Sequence, residues 1–122
     1  MLHHVTLEVV PADLGRAAEF WATLGFAQVD PPADLASEYT WFDREGTQIH
    51  LRHTDSPADP GPGHAAVVVP DFEQTLERLE ESGFEVTPKR ERWGSARGEA
   101  IAPGGHRVEL MAAPPPSSLR ST

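Results

Sequence analysis

At the start of the chain Val5, Leu7 and Val9 alternate with His4, Thr6 and Glu8. This is the period-two pattern of a strand with one core-seeking and one polar face. After Pro11 the period lengthens: Leu14, Ala17, Ala18 and Trp21 recur at helical spacing, behind Asp13 as a candidate N-cap and ahead of Gly25 as a stop. The same order returns half a chain later. A strand opens at His64, Asp71 and Gln74 offer a capping box, Phe72, Leu76 and Leu79 form the apolar stripe, and Gly83 stands at the stop. Behind each helix a strand begins, at Phe26 or Phe84, and a hairpin follows it. EYTWFD turns through Arg44-Glu45-Gly46 into TQIHLR, and RGEAIA turns through Pro103-Gly104-Gly105 into HRVELM. The pattern predicts two β-α-β-β-β units.

The units are copies in order. His4 falls on His64 at an offset of 60, Val10-Pro11 on Val69-Pro70 at 59 and Gly25-Phe26 on Gly83-Phe84 at 58. In the hairpins Gly46 falls on Gly105, His50 on Glu109 and Leu51 on Leu110, all at 59. A repeat of this length marks a duplicated structural unit. The expected organisation is a single domain over residues 1–112, with module 1 at about 2–53, a Pro-, Gly- and Asp-rich linker at 54–62, module 2 at about 63–112 and a flexible tail at 113–122. Asp30 to Ser37 and Lys89 to Ala96 are expected to be variable loops. At 122 residues the whole buries a core, whereas each half alone is marginal.

Composition narrows the function. A net charge of −9 with ten Lys and Arg argues against nucleic acid or an anionic membrane as partner. With no Cys, any metal chemistry falls to histidine and carboxylate. No long apolar segment and no signal-peptide pattern occur, so a cytoplasmic location is expected.

Strand alternation puts His4 and His64 on equivalent faces, and His50 and Glu109 on the equivalent faces of the last strands of each unit. If the sheets curl so that the faces opposite the helices meet, the four converge in a cavity. Three imidazoles and a carboxylate suit a divalent ion such as Zn²⁺, Ni²⁺, Co²⁺, Mn²⁺ or Fe²⁺ rather than Ca²⁺. Trp41, Trp93 and Tyr39 are candidates for an aromatic wall, and Arg52, Arg97 and Arg107 for gripping an anionic substrate. His3 has the opposite parity to His4, His53 opens the linker and His106 sits in a turn, so a solvated role is expected for each.

These residues and the tandem unit order resemble the vicinal oxygen chelate superfamily, the glyoxalase, bleomycin-resistance and extradiol dioxygenase group, over residues 2–112. The resemblance implies an α+β fold of tandem β-α-β-β-β modules, with curved mixed sheets forming a cavity and the helices outside. It implies metal ligands at His4, His50, His64 and Glu109, Glu109 also as the catalytic base, and a homodimer whose sites draw on both chains. His50 stands where glyoxalase I has Glu and methylmalonyl-CoA epimerase has Gln. The function expected is therefore metal-dependent lyase, isomerase or dioxygenase chemistry on a small oxygen-chelating substrate. The alternative is a metal-free protein that holds a drug or other small molecule in the same cavity.

Overall fold

The computed structural model describes residues 1–117. The flexible tail expected at 113–122 thus lies partly outside the described residues. In module 1, β1 (His4–Val9) is followed by a 3-10 turn (Pro11–Asp13), α1 (Leu14–Thr23), β2 (Ala27–Val29), β3 (Tyr39–Arg44) and β4 (Thr47–His53). Module 2 repeats the plan with β5 (His64–Val68), α2 (Phe72–Glu81), β6 (Val86–Arg92), β7 (Ser95–Ala102) and β8 (His106–Met111). Each module is a four-stranded mixed sheet, ordered β1-β4-β3-β2 and β5-β8-β7-β6, in which the first and last strands run parallel. The first strand of each module, the one that carries His4 or His64, is thereby laid beside the strand that carries His50 or Glu109. No helix among the described residues is long and apolar enough to cross a membrane.

Both helices stop by the same device. Gly25 at φ 90° donates to Ala22 O and Phe26 to Trp21 O; Gly83 at φ 85° donates to Glu80 O and Phe84 to Leu79 O. This is the Schellman arrangement, which needs a left-handed residue after the helix and brings the next residue back onto the last turn. Phe26 accordingly meets Trp21 edge to face at 5.5 Å. The predicted capping box does not form: Asp71 makes no side-chain cap, and its Oδ1 instead accepts from Thr75 Oγ1 at 3.3 Å.

The modules meet through their helices. Phe20 and Phe84 pack edge to face at 5.3 Å, the Arg16 guanidinium lies 4.0 Å over the Phe84 ring, and Arg16 Nη2 donates to Ser82 O at 2.8 Å. Arg44 Nη1 donates to Val68 O at 2.9 Å. His106 is buried, and its Nε2 donates to Glu8 O at 2.8 Å, so the solvated role expected for it is replaced by a tie between β8 and β1. Glu8 also accepts from Arg52 Nη1 and from the Ala58 backbone, each at 2.8 Å. These two hydrogen bonds, the backbone one foremost, hold its carboxyl below the usual range.

Lys89 to Ala96 is not a loop. It spans the β6–β7 hairpin, closed by Trp93 at φ 41° and Gly94 at φ 68°. Lys89 faces Arg97 and Arg92 faces Ser95, with a register shift between them. Two residues, Arg90 and Glu91, therefore oppose the single Ala96, which defines a β-bulge.

Candidate functional site

The four expected ligands fall into two pairs, one on each module. On module 1, β4 is flanked by β1 and β3, so His50 is covered from both sides. The Trp41 ring lies 3.9 Å away at 3°, and the His4 ring 3.9 Å away at 17°. The stack leaves His50 5% exposed. Burial, with smaller contributions from His4 and His3, pushes its pKa down to about 4, so the imidazole is neutral at physiological pH. Its hydrogen bonds settle the tautomer. Gln48 Nε2 donates to Asp43 Oδ2 at 2.9 Å, which turns Gln48 Oε1 toward His50 Nε2 at 2.7 Å. An amide oxygen only accepts, so Nε2 carries the proton and Nδ1 keeps its lone pair.

His3 joins this group against the parity argument. Register pairing begins at His4, with the His3 carbonyl accepting from Gln48 N at 2.7 Å just ahead of it. Its ring comes within 5.2 Å of His4, with Nδ1 to Nδ1 at 2.9 Å. The ligand atoms of His3, His4 and His50 all lie within 4.8 Å of one another, the one such group of three among the described residues. Tyr39, Trp41, Leu35 and Thr6 complete a cavity of about 340 Å³ around the three imidazoles. Trp41 Nε1, buried in this wall, has no hydrogen-bond partner.

On module 2, His64 Nε2 lies 3.6 Å from Glu109 Oε2. The other carboxylate oxygen is taken: Arg97 donates to Glu109 Oε1 from Nε at 2.9 Å and from Nη2 at 2.7 Å. Arg97 Nη1 donates to Arg90 O at 2.9 Å. Both ends of the guanidinium are thus engaged. His64 and Glu109 line a second cavity of about 370 Å³ with Lys89, Arg90, Arg92, Arg97, Gly98 and Glu99. Within one chain His64 and Glu109 do not share a coordination sphere with His4 and His50.

Of the other candidates, Trp41 lines the first cavity, and Arg52 is engaged by Glu8 at 2.8 Å. Arg107 lines a crevice of about 330 Å³ beside β1 that His64 also reaches. Trp93, 38% exposed at the hairpin turn, donates from Nε1 to Ala113 O at 3.0 Å. His53 pairs with Thr40 Oγ1 at 2.7 Å. The residues that sequence reasoning missed are His3 and the basic run Lys89, Arg90 and Arg92. The doubled histidine and the clustered charges of KRERW were their visible signals.

No curated protein matches the sequence. Among solved structures, a glyoxalase/dioxygenase from Nostoc punctiforme is similar at TM-score 0.75 and 20% identity, covering 93% of this chain and 91% of that one. The fosfomycin resistance protein FosX from Listeria monocytogenes is similar at TM-score 0.74 and 22% identity, again over 93% and 91%. A bleomycin resistance determinant encoded on the transposon Tn5 is similar at TM-score 0.60 and 17% identity, over 88% and 94%. At these identities the likeness is one of fold. The sequence profile of one family matches residues 1–110, nearly the whole chain: the protein belongs to the Glyoxalase/Bleomycin resistance protein/Dioxygenase superfamily.

Proposed function

We propose that the protein is a metal-dependent enzyme whose ion site is divided between the modules and completed in a homodimer. His4 and His50, with His3 in reach, form one half, and His64 and Glu109 of a second copy form the other. The observation that carries this reading is the relay Asp43–Gln48–His50, which presents a neutral imidazole with Nδ1 unpaired. Outer partners of this kind are what orient and tune metal-ligating histidines. On module 2 the Arg97 clamp does the equivalent for the carboxylate. It saturates Oε1 and leaves Oε2 as the atom for ligation or proton transfer.

A divalent ion held by these residues would supply Lewis acidity toward a small oxygen-bearing substrate. The chain's own part is to hold the substrate and manage its protons. The stacked aromatic wall of module 1 excludes water on one side, and Trp41 Nε1 is a donor waiting for an acceptor. Glu109 Oε2 accepts the proton in lyase or isomerase chemistry. His4, His64 and Glu109 alone make the two-histidine, one-carboxylate set that a dioxygenase needs, with His50 beside it. The unpartnered indole N–H also suits the second reading, a metal-free protein that binds a ligand in the same cavity.

Metal content of untagged protein, purified without added metal, separates these readings. Wild type is expected to retain ion, whereas His4→Ala/His50→Ala and His64→Ala/Glu109→Gln each retain none. After random exchange between the two variants, about a quarter of the wild-type content returns, because each mixed dimer carries one intact site. Wild type that neither retains ion nor gains thermal stability with Zn²⁺, Ni²⁺, Co²⁺, Mn²⁺ or Fe²⁺ ends the metal reading.

A further inference from the structure

Four of the ten Lys and Arg of this chain line the single cavity that also holds His64 and Glu109: Lys89, Arg90, Arg92 and Arg97. Set against Glu99 and Glu109, they leave that cavity at +2 in a protein whose net charge is −9. The bulge in β6 produces the concentration. In a regular strand Lys89 and Arg92, three positions apart, point to opposite faces. The extra residue resets the alternation, so that Lys89 pairs with Arg97 and Arg92 with Ser95 on one face, and all three β6 cations border the cavity. A bulge re-aims side chains in this way at functional rims.

The four cations are not equivalent. Arg97 is engaged by Glu109 and the Arg90 carbonyl, so its charge is already answered. Lys89, Arg90 and Arg92 enter none of the side-chain ion pairs found among the described residues. Three cations outside any side-chain ion pair, bordering a cavity of net charge +2, set a local field that attracts anions in a chain of net charge −9. The cavity, about 370 Å³, is of the size that takes a small molecule. An extended polyanion would meet the acidic remainder of the surface.

We propose that the ligand of this cavity is a small anion whose carboxylate or phosphoryl group is held by Lys89, Arg90 and Arg92. Guanidinium forks match both groups bidentately, and the anchored end lies beside the carboxylate that Arg97 fixes. Resting on the function proposed above, this adds the class of substrate: the oxygens presented to His64 and Glu109 belong to a molecule with a negatively charged end. The division of labour within β6–β7 is then explicit, with Arg97 positioning Glu109 and the bulged strand gripping the ligand.

The test uses full-length, metal-stripped, ¹⁵N-labelled protein titrated separately with inorganic phosphate and with succinate, so that it does not depend on the ion. Saturable amide shifts confined to 86–99, weakened by added NaCl, are expected for at least one probe, with affinity lowered tenfold or more in Arg90→Gln/Arg92→Gln. Arg78→Gln, which removes an exposed cation from α2, is expected to bind as wild type does. A response to phosphate alone identifies the phosphoryl group, to succinate alone the carboxylate, and to both the shared chemistry; all three support the proposal. Absence of saturable shifts with either probe, or equal affinity in the double variant with its spectrum intact, overturns it. Failure of the metal reading shows instead as absent ion in the content measurement, with these shifts unchanged.

Discussion

Modules 1 and 2 share a scaffold and differ in what they place on it. Their helices both span ten residues and end in Schellman stops with equivalent hydrogen bonds at Gly25 and Gly83. Their open faces have diverged. Module 1 presents rings, with His50 pressed between Trp41 and His4, whereas module 2 presents a carboxylate held by a guanidinium and ringed by cations. The edge strand opposite the ligand-bearing pair differs as well, at three residues in β2 and seven in β6. Positions that bury apolar area recur in both modules, whereas the open faces carry different groups.

The largest expected effect falls where the modules are still one body. Phe20 is fully buried and touches both Trp21 and Phe84. Phe20→Ala should cost about 3–5 kcal/mol, read from equilibrium urea denaturation as a lower midpoint in a single transition. Two separated transitions would show that the halves fold independently. A smaller effect probes the asymmetry itself: Arg97→Gln removes the fork from Glu109 and should weaken metal affinity by about 10- to 100-fold in a competition titration. Unchanged affinity there would mean that module 2 needs no clamp. The smallest effect tests the shared scaffold. Gly25→Ala and Gly83→Ala each force a Cβ into the left-handed region, although Arg44 and Arg16 leave room for it at 3.5 and 3.7 Å. Each should cost about 1–2 kcal/mol by thermal denaturation, and clearly unequal costs would break the equivalence of the two stops.

The scaffold was legible in the sequence because its signals are local. Periodicity, the two glycines and the hairpin turns lie within a few residues of the elements they specify. The candidate site was legible only in part. His4, His50, His64 and Glu109 follow from strand parity, but His3 escapes it because it lies just outside the paired strand, which begins at His4, and its ring still meets that of His4. The bulge in β6 depends on which β7 residue each partner meets, information that no stretch of β6 contains. His106 read as a turn residue is buried by a carbonyl 98 positions earlier. Within one chain the two pairs line separate cavities, so strand parity alone does not show how they would come together.

Glu8 has a consequence for how the halves find each other. By accepting from Ala58 it fastens the linker to β1 in mid-course, and its lowered pKa keeps the acceptor ionised. The free tether between the modules is thereby shortened to the few residues from Ala58 to β5. A shorter tether raises the effective concentration of one module at the other's helix surface. One surface carboxylate thus biases the chain toward packing its own two helices together, rather than trading halves with a neighbour.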